Sequence, residues 1–137
     1  MPILNYTTKV NVYRTISEIE ATLAEHGATM ILKQYGNDKK IAALSFTLET
    51  PVGQQPIRLP ANVDAVKKVL ERQKVKADND QAERVAWRIL KDWVEAQMAI
   101  LEAEMVTMDE IFMPYMLIDG QRTLYEAYRT ERLRIGD

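Results

Sequence analysis

The run ERVAWRILKDWVEAQMAILEAEM, residues 83–105, constrains the fold more than any other feature of the chain. On a helix turning about 100° per residue, Ala82, Val85, Ala86, Ile89, Trp93, Ala96, Ile100 and Ala103 cluster on one side. Leu90, Val94, Met98, Leu101 and Met105 gather around Trp87. Together they cover roughly two thirds of the circumference, against the ~100° stripe of an ordinary surface helix. Arg84, Arg88, Lys91, Asp92, Glu95 and Glu102 fill the remaining strip. So wide an arc needs cover on two sides. Either this is the central helix of a domain, between sheet and further helices, or part of it lies in a subunit interface. Trp93 sits in mid-arc and reads as core, whereas Trp87 meets the basic strip at the arc's edge.

The first sixty residues read as sheet. Leu4, Tyr6, Thr8, Val10 and Val12 alternate with Asn5, Thr7, Lys9, Asn11 and Tyr13, the period of a half-buried strand. Thr15 or Ser17 then opens a helix with Ile16, Ile19 and Leu23 as its stripe and Gly27 as its stop. Ala28–Tyr35 forms a second strand. GNDK (36–39) turns the chain into a third, Lys40–Glu49, with Ala42, Leu44, Phe46 and Leu48 on one face. TPVGQQP (50–56) leads to a short fourth, Ile57–Leu59. The expected order is β-α-β-β-β.

From Pro60 onward the pattern is helical. Asn62 caps a helix to about Gln73, and Asp78 or Asp80 caps the long helix. Thr107 with Glu110, and Thr123 with Glu126, match capping boxes, and Pro114 kinks or ends a turn. The fold class is α+β: a small, mainly antiparallel four-stranded sheet, then a helical C-terminal half with one long central helix. All 137 residues read as a single domain, sheet-rich over 1–60, with the helical part 61–137 packed on it.

The chain has no cysteine and a net charge of −2, so disulfides, thiolate chemistry and nucleic-acid binding by bulk positive charge are all excluded. No stretch approaches the roughly 18 uninterrupted apolar residues of a membrane span. With no signal-peptide pattern at its start, the chain reads as cytoplasmic. The single histidine, His26, stands before Gly27 at a helix end and reads as structural. No Walker loop, dinucleotide fingerprint or nucleophile elbow occurs. Glu95, Glu102 and Asp109-Glu110 are the residues a metal-dependent reaction would need, but carboxylates so spaced on an exposed face are common. The expectation is a non-enzyme with no cofactor and no metal.

Charge is polarised. Lys67, Lys68, Arg72, Lys74, Lys76, Arg84, Arg88 and Lys91 face only Glu71, Asp78, Asp80 and Glu83, while the stretch from Asp92 to Glu126 is acidic. Cations neutralise phosphate and an aromatic face stacks a base, so these eight residues with Trp87 form one candidate surface. Lys9 and Tyr13 of the first strand and Arg14 just after it, with Lys33 and Tyr35 of the second, form another on the sheet. The alternative is a protein-docking module whose surface is the Met/aromatic region Phe112, Met113, Tyr115 and Met116, extending to YEAYRTERLR. A homo-oligomer is also expected, since Met-rich faces adapt to partners.

The runs YRTISEIEATLAEHGA, IAALSFTLET, PIRLPANVDAVKKVL, QAERVAWRILKDWVEAQMA and FMPYMLIDGQRTLY resemble a group of small phage and prophage proteins in overall texture. The resemblance covers most of the chain and carries no catalytic motif. It implies a link to phage DNA replication or recombination, a setting in the host cytoplasm, single-stranded DNA as ligand, and a host or phage protein as possible partner.

Overall fold

The computed structural model describes residues 2–131. Its order is α1 (Val12–Glu25), β1 (Ala28–Tyr35), β2 (Ile41–Thr50), β3 (Gly53–Arg58), α2 (Val63–Arg72), α3 (Asn79–Glu102), α4 (Met108–Phe112), a 3-10 turn (Met113–Tyr115) and α5 (Leu124–Glu131). The class is α+β and the long helix is present, with 24 residues. The sheet, however, has three strands in the order β1-β2-β3, not four. The strand expected over Leu4–Val12 does not form.

Two turns replace that strand. Tyr6 N–H donates to the Ile3 carbonyl at 3.3 Å and Thr8 N–H to that of Asn5 at 2.9 Å. Asn5 takes a left-handed φ of 64°, which its short polar side chain tolerates. Asn11 rather than Thr15 or Ser17 then caps α1, its side chain accepting from Tyr13 N–H at 2.8 Å. Alternation alone does not make a strand; the backbone groups need a ladder, and here local turns and side chains satisfy several of them instead.

The chain divides into two compact units, each built from two separate stretches: residues 1–26 with 61–99, and 27–60 with 100–137. In the first, α1 buries Ile16, Ile19 and Leu23, α2 buries Leu70, and α3 buries Ala82, Val85, Ala86, Trp87, Leu90, Val94 and Met98. The Asn62 side chain caps α2 by accepting from Ala65 N–H at 3.0 Å, and Asp78 caps α3 by accepting from Gln81 N–H at 2.8 Å. The deepest line of α3 is thus Trp87, Leu90, Val94 and Met98. Trp87 has no exposed surface, while Trp93 is only half-buried. The assignment of the two tryptophans is reversed from the sequence reading. A two-thirds apolar arc does not say which flank lies deepest.

In the second unit β2 is central, pairing antiparallel with β1 and β3. It buries Ile41, Leu44, Phe46 and Leu48, while Ala42, expected on the same face as the last three, lies at a bulge in the pairing with β1 and is exposed. Phe112 of α4 meets Phe46 edge to face, ring centres 5.2 Å apart. Pro56 lies opposite Thr47 and its carbonyl accepts from Leu117 N–H at 2.9 Å. Its polar side therefore faces away from β2, so the missing N–H costs that ladder nothing. Arg58 of β3 donates to the Gln121 carbonyl at 2.8 Å and to Glu126 at 2.5 Å. Thr123 and Glu126 form the expected capping box, with bonds of 2.9 and 3.1 Å. Asp119 accepts from the backbone N–H groups of Arg122 and Gln121, which hold its carboxyl down to about 2.

Candidate nucleic-acid-binding surface

Of the fourteen sequence-predicted residues, twelve fall in the first unit; Lys33 and Tyr35 belong to the second. The sheet platform is not assembled. Lys9, Tyr13 and Arg14 are not on a strand at all, Lys9 preceding α1 and the other two lying in its first turn. In β1, Lys33 pairs with Leu44 and Tyr35 with Ile41 of β2. A bulge at this point leaves Ala42 of β2 without a partner in β1.

The cations of α3 are engaged within the protein. Arg88 donates to Glu18 of α1 at 2.7 Å and approaches the Thr15 hydroxyl at 3.5 Å. Lys91 lies 3.8 Å from the same carboxylate and 2.8 Å from Glu95. Arg14 joins Glu18 at 3.3 Å, one helical turn away. The Arg88 and Lys91 side chains are only 20% and 15% exposed. Burial works against charge on Glu18, but hydrogen bonding and charge from Arg88, with Lys91 and Arg14, outweigh it and hold the carboxyl below its ordinary value. This hub joins α1 to α3 and leaves Arg88 and Lys91 little freedom to reach a ligand.

Arg84 is engaged differently. Its Nε and Nη2 donate to Gln81 Oε1 at 2.9 and 2.6 Å. Gln81 Nε2 in turn donates to the carbonyls of Tyr6 and Thr8 at 3.0 and 2.9 Å. Every hydrogen-bonding site of the Gln81 amide is thereby used. Lys67 donates to the Ala77 carbonyl and ties α2 to the loop that follows it. Trp87, wholly buried with no acceptor for its indole N–H among the described residues, offers no face for a base to stack on. The stacking role expected of it is withdrawn.

What remains is a compact patch. Lys68 and Arg72 stand one turn apart on the exposed side of α2, and Lys74 and Lys76 follow on the loop. All four are exposed, and none makes an ion pair or side-chain hydrogen bond among the described residues. Lys74 adopts a left-handed φ of 61° and its N–H returns to the Glu71 carbonyl at 3.0 Å. The chain thus reverses at the helix end and keeps Lys74 and Lys76 close to it. The first unit holds ten cations and ten carboxylates, so any attraction for an anion comes from this local excess.

The sequence reading uses Glu18 only as a capping-box partner of Thr15, and neither it nor Gln81 was expected to engage the cations of α3. Glu18 is legible as an i+4 partner of Arg14, but its pairing with Arg88 spans 70 residues and has no local signal. The alternative docking region is also altered. Phe112 is buried, and Met116 bridges to Ile57, so of those four residues only Met113 is exposed. In YEAYRTERLR, Arg132, Leu133 and Arg134 lie outside the described residues. Among the described residues no three His, Asp or Glu side chains converge for a metal ion, and no helix is long and apolar enough to cross a membrane. Comparison with known protein families, with curated proteins and with solved structures found no match.

Proposed function

We propose that the chain is a non-catalytic binder of single-stranded DNA that grips the phosphate backbone through Lys68, Arg72, Lys74 and Lys76, with little sequence preference. One contrast supports the reading: these four cations stand free, while those of α3 are tied to partners inside the protein. An exposed cation with no counter-ion gives up little when a phosphate arrives, whereas Arg88 would have to leave Glu18. The resemblance to phage proteins adds replication or recombination as the setting.

The test is anisotropy of a labelled single strand of about 30 nucleotides, titrated with the full chain at several salt concentrations beside a duplex control. Each phosphate neutralised on a single strand contributes a slope of about −0.7 in log K against log salt. Four contacts give about −3, so affinity should fall about fifty-fold between roughly 50 and 200 mM salt. Reversing Lys68 and Arg72 to Glu should remove at least about 1.4 from that slope. Absence of binding at low salt, or a slope indifferent to the reversal, would sink the proposal.

A further inference from the structure

The N-terminal segment, expected as a strand, is instead a strap fastened across α2 and α3. Ile3 N–H donates to Gln73 Oε1 at 3.0 Å, and Asn5 Nδ2 to Asp92 Oδ2 at 2.8 Å. Gln81 Nε2 holds the Tyr6 and Thr8 carbonyls. Tethers therefore lie on both sides of Tyr6 and on its own backbone. The first tether, Gln73, caps the C-terminus of α2 and stands in sequence between Arg72 and Lys74. The hydrogen bond from Tyr6 N–H to Ile3 O places Tyr6 one turn of chain from that tether. Tyr6 is 37% exposed, and its hydroxyl has no hydrogen-bond partner among the described residues. The combination is an aromatic ring, partly open to solvent, on a backbone that is tied three residues earlier to the end of the helix carrying the free cations.

We propose that Tyr6 is the base-stacking residue of this surface, so that unpaired strands are preferred over duplex. The inference rests on the single-stranded DNA reading above. A ring held by a pinned backbone loses little freedom when a base stacks on it, and stacking tolerates any base because every base has a π-face. In a duplex the bases are already stacked on one another, and the ring has nothing to receive. Tyr13, 52% exposed on α1, is the competing aromatic, but none of these tethers joins it to the end of α2.

The experiment titrates the same labelled single strand and its duplex with the wild-type chain and with Tyr6→Ala, Tyr6→Leu, Tyr6→Phe and Tyr13→Ala. Thermal melting of each variant checks the fold. Stacking is an uncharged contribution, so Tyr6→Ala and Tyr6→Leu should weaken single-strand binding about ten-fold, the size of one base–aromatic stack. They should do so at every salt concentration, leaving the salt slope and the duplex affinity unchanged. Tyr6→Phe should stay within about two-fold of wild type, since the ring survives. Leu keeps apolar bulk on the strap, so loss with Leu and retention with Phe separates stacking from folding. Four results overturn the inference alone while wild-type binding persists: Tyr6→Ala binding like wild type, a lowered slope, equal loss on duplex, or the loss falling on Tyr13→Ala. No wild-type binding to the single strand at low salt overturns the parent reading as well.

Discussion

Trp87 offers the sharpest test of how the first unit is built. It has no exposed surface, and its neighbours along α3, Leu90 and Val94, are buried with it. Truncating a buried aromatic to alanine costs about 3–5 kcal/mol, from lost transfer energy and the cavity left behind. Trp93, only half-buried, should cost about 1–2 kcal/mol on the same change. Trp87→Phe should behave differently again. The lost ring volume costs about 1–2 kcal/mol, but the change also deletes a buried indole N–H that has no acceptor among the described residues. Relief of that unmet donor returns about 1–3 kcal/mol, so the two effects nearly cancel. The chain has two tryptophans, both in α3, so each alanine variant leaves one fluorophore reporting on the same helix. Urea titrations followed by that fluorescence give the free energies. A Trp87→Ala chain within about 1 kcal/mol of wild type, or one damaged less than Trp93→Ala, would refute the burial argument and restore Trp87 to the surface.

The Glu18 hub predicts an acid-side loss of stability. Its carboxyl lies below the ordinary 4.5 in the folded chain, so the stabilisation is complete above the unfolded value and disappears as pH falls through the folded one. Glu18→Gln should cost about 1–2 kcal/mol at neutral pH, between the worth of a surface pair and a buried one, and converge with wild type as pH falls through the lowered folded value. Parallel melting curves across the whole range would exclude the hub as a stabilising element. Self-association, expected from the sequence, has a specific site to test in β1, an edge strand with Met30, Leu32 and Tyr35 exposed. A concentration-dependent mass in sedimentation that collapses to the monomer in Leu32→Lys would place the contact there, whereas a wild-type mass independent of concentration removes it.

The parts of the fold that were legible share one property: cause and effect lie within four residues. Asn62 and Ala65, Asp78 and Gln81, and Thr123 and Glu126 are local pairs, and Gly27 ends α1 with a φ of 97° that suits glycine. The N-terminal segment failed for the converse reason. Leu4–Val12 has strand periodicity, but its conformation is decided by side chains at positions 73, 81 and 92. Nothing in residues 4–12 announces those partners. The same distance in sequence hid the tryptophan reversal. Arg84 and Lys91 lie beside Trp87 on the wheel, which made that flank look like surface, yet both turn to partners in the protein and leave the ring covered.

The candidate surface changed by the same logic. A count of lysines and arginines along the chain measures charge density, whereas a ligand responds to charge that is available. Glu18 and Gln81 take up Arg88, Arg84 and part of Lys91, and the basic run between Lys67 and Lys91 is left with four free cations at the end of α2. On the proposed reading such a patch would be weak in isolation, because its affinity would rest on about four phosphate contacts and would collapse with modest salt. Effective capture of a long strand then calls for several copies bound side by side, each raising the local concentration of strand for the next. If copies associate through the exposed edge strand β1, that contact would supply the avidity that one copy lacks.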